Sequence, residues 1–398
     1  MDGRVKPGHD GEKRGGPPTH RFLTFTVYFQ RMGAPEDIYP EDIYLSVVVT
    51  SRNDNHGGKI MGRMQHCFAS LSEQARRHRL PIQLLLVDWN PPADRPPLSD
   101  VSELCGSHEF FRFDVVTVPR EFHDSLPIAD QIPLFQYYAK NVGIRRALGR
   151  FILATNVDVI FAEALAAHLA GRKLEAGRIY RNDRWDTDIG NQLDTLGPDA
   201  RQEACMRNVV QINMRQGTVP VPQLAAHTNA VPAGELPARL KQFIEALSRT
   251  LATQAPEQTK SPHMTACGDF QLLAREDWHR LRGYAELPIH SWHIDSLLEL
   301  QGIASGLKEE MLPGDCPVFH IHHAPGWANQ GTLEGGLDLA FGKQGDEHRL
   351  HVNGRDMPLL TMDEVDRFIA GIKLNPRATI NGRDWGFAGT DFPMVTRA

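Results

Sequence analysis

Three groups of residues in this chain have types and spacings that suit chemistry. Ala154-Thr155-Asn156-Val157-Asp158-Val159-Ile160-Phe161 sets a carboxylate directly after an apolar run. Hard divalent cations take oxygen ligands, and Mg²⁺ or Mn²⁺ is typically held by one or two carboxylates while diphosphate oxygens complete the shell. Asp and Asn after a strand are also ordinary turn and cap residues. Phe319-His320-Ile321-His322-His323-Ala324-Pro325-Gly326 gathers three histidines in four residues beside a Pro-Gly break, a composition suited to imidazole–metal coordination. A polar strand end carrying surface histidines is the competing role. A strand running through places His320 and His322 on one face and Ile321 and His323 on the other, unless it ends here and His323 turns back. The third group runs from Cys267-Gly268-Asp269-Phe270 through Leu281-Arg282-Gly283-Tyr284 to His290-Ser291-Trp292-His293-Ile294-Asp295-Ser296. A carboxylate here can take a proton from a hydroxyl as it attacks. Asp295 also stands where a helix N-cap is expected, just before Leu297-Leu298-Glu299-Leu300.

These groups need elements to position them. Leu45-Ser46-Val47-Val48-Val49-Thr50 is a β-branched run that predicts a buried parallel strand. After the polar loop Ser51–Gly58, a helix follows, with Ile60, Met64, Cys67, Phe68, Leu71 and Ala75 on one face. Gln83–Asp88 is the next strand, Phe110–Val118 a third, Gln131–Leu148 a helix, and Phe151–Ala154 a fourth strand. That order predicts a doubly wound α/β sheet, whose ligands bind beyond the carboxyl ends of the strands. The rule points to Thr50, Arg52 and Asp54, to Asp88 and Asn90, and to Thr155–Asp158. Arg52, Asp54 and Asp88 suit base and ribose contacts, with loop salt bridges as their competing role.

Beyond Asp158 the pattern loosens. Arg181-Asn182-Asp183-Arg184-Trp185-Asp186 is a charged segment, and about 186–262 reads as an insertion that covers or shapes the site. Within it a helix starts at Pro237, with Leu240, Phe243, Ile244, Leu247 and Leu251 on one face. Residues 331–398 form a C-terminal extension, where Thr361-Met362-Asp363-Glu364 is a capping box opening a docking helix with Val365, Phe368, Ile369 and Ile372. Residues 1 to about 40 are rich in Gly, Pro and charge and read as a poorly ordered leader; Met1–Asp10 resembles a translated intergenic repeat at an over-called start. A domain spanning 41–330 remains.

Composition narrows the function classes. The 398 residues allow a large α/β domain with a sizeable core. A net charge of −6 supplies no general field for nucleic acid or anionic membranes, so a polyanionic ligand must be met locally. Five widely spaced cysteines without a CxxC argue against a disulfide framework or thiolate zinc site and make a reducing cytoplasm the default. Phe22–Gln30, the most apolar N-terminal stretch, falls far short of the ~20 residues that span a bilayer.

In this order the motifs resemble nucleotide-sugar glycosyltransferases of the GT-A fold, over about residues 45–165 and 263–327. Ala139-Lys140-Asn141-Val142-Gly143-Ile144-Arg145-Arg146-Ala147-Leu148-Gly149-Arg150-Phe151-Ile152-Leu153 is similar to the family-2 stretch before the metal-binding motif. That motif, usually Asp-x-Asp, is Asn156-Val157-Asp158 here. Asp295 resembles the catalytic base ending a Trp-Gly-Gly-Glu-Asp-type motif, with His293-Ile294 in place of Gly-Glu. The tail from Asp295 to His323 resembles that of β-1,4-galactosyltransferases, whose Met-x-x-His supplies metal ligands; the match falls on His320 and His323.

The resemblance implies a GT-A fold, a Rossmann-like mixed sheet flanked by helices, with a large insertion and a C-terminal helical extension. It implies a hexosyltransferase-type enzyme using a nucleotide-diphospho-sugar, with uridine diphosphate as the carrier, and Mn²⁺ or Mg²⁺. Asp158, His320 and His323 match the metal ligands, and Thr50, Arg52, Asp54, Asp88 and Asn156 the nucleotide contacts. Asp295 matches the base of an inverting displacement, and Asp269 and Trp292 are candidates for the saccharide or other hydroxyl acceptor. Lys140 is a candidate phosphate contact whose competing role is a solvated helix charge. Peripheral membrane contact is compatible with this reading. The competing classes are a metal-dependent hydrolase with His320, His322, His323 and Asp269 or Asp295 around zinc, and a non-catalytic nucleotide-sugar-binding protein, which Asn156 favours.

Overall fold

A computed structural model describes residues 42–101, 103–189, 196–220, 261–323, 349–352 and 355–397. The leader and the helix expected from Pro237 lie outside these residues. Fifteen strands are described: β1 Leu45–Ser51, β2 Ile82–Trp89, β3 Phe111–Val118, β4 Phe151–Ala154, β5 Val159–Phe161, β6 Arg178–Arg181, β7 Arg184–Thr187, β8 Val209–Met214, β9 Gly217–Pro220, β10 Gln271–Ala274, β11 Lys308–Met311, β12 Val318–Ile321, β13 Arg349–Val352, β14 Arg355–Pro358 and β15 Met394–Arg397. The α-helices are α1 Ile60–Arg77, α2 Arg120–Asp124, α3 Gln136–Arg146, α4 Glu163–Ala170, α5 Pro198–Arg207, α6 Arg275–Leu281, α7 Ile294–Ala304 and α8 Met362–Leu374.

The main sheet has the order β11-β6-β10-β4-β1-β2-β3-β15. Its centre, β4-β1-β2-β3, is parallel, whereas β10 and β15 run antiparallel to β4 and β3. Strands covered on both faces have no polar side, which is why β1 and β2 read as unbroken apolar runs. Val47, Val49, Leu84 and Leu86 face one core with Ile60, Met64, Phe68 and Leu71 of α1. Val48, Leu85 and Val87 face a second core with Val142 and Ile144 of α3 and Trp278 of α6. Gly143 lets α3 approach the sheet closely: a Cβ there would stand 3.1 Å from Val87 and still nearer Val48.

Two elements differ from the sequence expectation. The helix expected over 131–148 begins only at Gln136, because Pro133 and the turns before it hold the preceding segment out of the helix. The C-terminal stretch does more than dock a helix, since β15 completes the edge of the main sheet against β3. Thr361 and Glu364 do form the reciprocal cap of α8, with Glu364 N donating to Thr361 Oγ1 at 3.1 Å and Thr361 N to Glu364 Oε2 at 2.9 Å.

A second sheet, β5-β12-β7-β8-β9, lies in chain order beyond β4 and draws β7, β8 and β9 largely from the expected insertion. Its registers position the site. β12 pairs antiparallel with β5 so that His320 stands opposite Val159, one residue after Asp158. β12 also pairs in parallel with β7, which sets His320 opposite Asp186. No described helix is long and apolar enough to cross a membrane, and all five cysteines are free.

Candidate active site

Asp158, His320 and His323 converge beyond the carboxyl end of β4, and their ligand atoms all lie within 4.8 Å of one another. Asp158 closes the turn between β4 and β5, and Ile321 N donates to its carbonyl at 3.0 Å, which locks the turn to β12. β12 stops at Ile321, so His323 turns back, with Nε2 3.0 Å from Asp158 Oδ2. His320 Nε2 lies 3.7 Å from Asp158 Oδ1. His322 is exposed and stands apart from the cluster. Burial opposes ionisation of Asp158, but His320, His323 and Arg63 outweigh it and hold the carboxyl far below its usual range.

Arg63 reaches this centre from α1, its Nε 3.5 Å from Asp158 Oδ2. Its guanidinium also donates to the carbonyls of His56 at 2.8 Å, Gly57 at 3.4 Å and Gly58. One side chain thus ties the loop after β1 to the Asp158 turn.

A polar chain extends from the other face of His320. Nδ1 lies 2.9 Å from Asp186 Oδ1, and Arg184 pairs with Asp186 through Nε at 2.9 Å and with Asp269 through a terminal nitrogen. Asn156 Nδ2 donates to the second oxygen of Asp269, and Asn156 Oδ1 accepts from Gln136 Nε2 at 3.0 Å. Asp269, a candidate acceptor contact by sequence, is therefore 4% exposed and faces Arg184 and Asn156 instead. The zinc arrangement expected of a hydrolase is not assembled among the described residues: His322 faces solvent, Asp269 is paired with Arg184, and Asp295 lies outside the Asp158 cluster.

Asp295 sits in the first turn of α7, and its Oδ1 accepts from Ser296 N at 2.9 Å. His293, with φ 68°, occupies the cap position, so Asp295 is not the N-cap. Beside it the 3₁₀ turn Cys267–Asp269 is fixed by three donors. Arg181 Nη1 donates to Cys267 O at 2.9 Å, Lys140 Nζ to Gly268 O at 2.9 Å, and Thr155 Oγ1 to Asp269 O at 2.6 Å. Lys140 is fully buried, with its ammonium 5.4 Å from the Tyr137 ring and 5.9 Å from that of Tyr284, so neither a phosphate contact nor a solvated charge describes it. Burial pushes Lys140 down to about 8 against the pull of Asp269 and Asp295. Burial raises Asp295, while Lys140 and Arg181 oppose the rise. Trp292 is half-buried, edge-on to His290 at 5.4 Å.

At the ends of β1 and β2, Thr50 is buried. Arg52 Nε donates to Asn90 O at 3.0 Å and Nη1 to Asp54 Oδ2 at 3.3 Å, so the loop salt bridge weighed against a nucleotide role is formed. Asp88 is fully buried; Oδ2 accepts from Leu98 N at 2.7 Å, and Oδ1 has no hydrogen-bond partner among the described residues.

Neither a family model nor a curated protein sequence matches the chain. Among solved structures, the catalytic domain of Drosophila β1,4-galactosyltransferase 7 in complex with xylobiose is similar over 71% of this chain and 71% of that one, at 10% identity and a TM-score of 0.30. A likeness at that level leaves the site to be read from its own geometry.

The cluster fits a divalent cation on its donor chemistry. One carboxylate oxygen and two imidazole nitrogens suit Mn²⁺ better than Mg²⁺, which prefers an all-oxygen shell. The residues that sequence reading misses are Arg63, Gln136, Arg184 and Asp186. Three of them carried a signal. Arg63 occupies the apolar stripe of α1 between Ile60 and Met64, an odd place for a charge. Arg184 and Asp186 flank the buried Trp185 with the period-two alternation of a strand.

Proposed function

We propose that this protein is a divalent-cation-assisted glycosyltransferase that moves a sugar from a nucleotide-diphospho-sugar, with uridine diphosphate as the carrier, to an acceptor hydroxyl with inversion. The convergence of Asp158, His320 and His323 beyond the carboxyl end of a parallel strand carries the reading. The bound cation would offset the negative charge that builds on the departing diphosphate. Asp158, His320 and His323 would hold it, and Arg63 keeps the loop after β1 against that carboxylate. Asp295 would take the acceptor proton, a task suited by a carboxyl whose affinity for protons burial has raised. The rigid Cys267–Asp269 turn fixes the surroundings of that base. Trp292 would offer an indole face to the acceptor sugar, whereas the fully buried Asp88 carboxylate is not presented to the nucleotide.

The test is binding of uridine diphosphate with Mn²⁺, read as a rise in the thermal midpoint, together with a donor screen for release of the nucleoside diphosphate. The wild-type chain should show both and Asp158→Ala neither. Absence of a shift with every nucleoside diphosphate would overturn the reading.

A further inference from the structure

We propose that Asp186 is a positioning residue for the cation site, holding the His320 ring so that Nε2 and not Nδ1 is turned towards Asp158. The inference rests on the cation-site reading above. The pairing of β7 with β12 places the two residues directly opposite each other, and His320 Nδ1 meets Asp186 Oδ1 at 2.9 Å. That leaves Nε2 on the side of Asp158, 3.7 Å from its Oδ1.

Asp186 is itself fixed. It is 1% exposed, and its carboxylate accepts from Arg184 Nη2 at 3.0 Å, from Asn213 Nδ2 at 3.0 Å and from Gln211 Nε2, while Arg184 Nε stands 2.9 Å from Oδ1 as an ion-pair partner. Those donors leave the carboxylate no freedom to rotate away from the ring. A carboxylate that accepts the far N–H of a ligating histidine sets its tautomer and raises its basicity, and losing one typically costs roughly 10–100-fold in metal affinity. Arg184 carries the same restraint onward to Asp269, so the ring orientation is built from the second sheet and the Cys267–Asp269 turn together.

The full-length chain titrated with Mn²⁺ alone, followed by isothermal calorimetry or by the free-Mn²⁺ paramagnetic resonance signal, tests this. The wild type should bind one equivalent, Asp158→Asn none, and Asp186→Asn should bind roughly 10–100-fold more weakly. If the wild type binds no Mn²⁺, the cation-site reading falls and this inference with it. If the wild type binds and a folded Asp186→Asn binds equally well, only the positioning role is overturned. Should Asp186→Asn fail to fold, nitrogen-15 spectra of the wild-type His320 ring with Zn²⁺ as a diamagnetic probe decide the matter. A proton on Nδ1 supports the role, and a proton on Nε2 refutes it.

Discussion

Asn156 donates a hydrogen bond from Nδ2 to Asp269, whose other oxygen is held by Arg184, while Asn156 Oδ1 accepts from Gln136. The amide is satisfied at both ends. A carboxylate at the same position would satisfy only Gln136 and would set one anion against another. The Asn in what resembles an Asp-x-Asp motif therefore fits its surroundings, because the neighbouring acid is already present as Asp269.

Asn156→Asp is accordingly expected to weaken the protein and not to improve it. Losing a hydrogen bond to a charged group and adding like-charge contact costs on the order of 2–3 kcal/mol. The two carboxylates would raise each other's proton affinity, so stability falls as pH rises through that range. Chemical denaturation should show a deficit at pH 7 that shrinks towards pH 4. A variant as stable as the wild type and more active would contradict this account.

How much of this was legible depends on how charge and burial combine in each segment. β1, β2 and the buried face of α1 stand out because apolar residues there follow a simple period. His320 and His323 stand out by type, and the one ambiguity, whether the strand runs through His323, is settled by its end at Ile321. Arg181–Asp186 reads as a charged segment yet forms the end of β6 and most of β7. Its charges are neutralised by residues remote in sequence: Arg181 lies 3.6 Å from the equally buried Glu299, and Arg184 pairs with Asp269. Lys140 is misread for the same reason. The aromatic rings and the Gly268 carbonyl that accommodate it come from elsewhere in the chain, and local pattern cannot reveal them.

Asp88 gives a pH-dependent test. Burial pushes its carboxyl up to about 6 from 3.8, with the Leu98 hydrogen bond and Arg52 opposing. The folded state then binds more protons than the unfolded one between these values, so this group's contribution to stability falls as pH rises across that window. Asp88→Asn removes the effect. Relative to the wild type, the variant should gain on the order of 3 kcal/mol between pH 4 and pH 7 in denaturation experiments. Parallel stability profiles would refute the burial argument.

Gly268 tests the surroundings of the proposed base. A Cβ at this position would stand 2.8 Å from the Tyr137 hydroxyl and 3.0 Å from Asp295 Oδ2, so Gly268→Ala must displace one of the two. Tyr137, in the first turn of α3, is packed in the core, and Asp295 is the freer group. The expected result is a fall in kcat of ~10²-fold, the scale on which an ångström of misplacement acts, with little change in donor KM. A loss confined to donor KM would place the effect elsewhere.

Lys140 supplies the last test, and its sign is opposite to that of Asp88. The ammonium is buried among aromatic rings, and its affinity for the proton drops from 10.5 to about 8 despite Asp269 and Asp295. Between those values the unfolded chain still carries a proton that the folded chain has released, so this group's contribution to stability rises with pH across that window. Lys140→Met lacks the titrating group and also lacks the donor to Gly268 O, leaving that carbonyl to relax. Denaturation from pH 7 to 10.5 should show the wild type gaining on the order of 3 kcal/mol relative to the variant. The variant should also lose activity at every pH, because the Cys267–Asp269 turn beside Asp295 is no longer fixed at its centre. A variant that keeps full activity would mean that Arg181 and Thr155 hold the turn without Lys140, and parallel stability curves would mean that Lys140 does not titrate in this range.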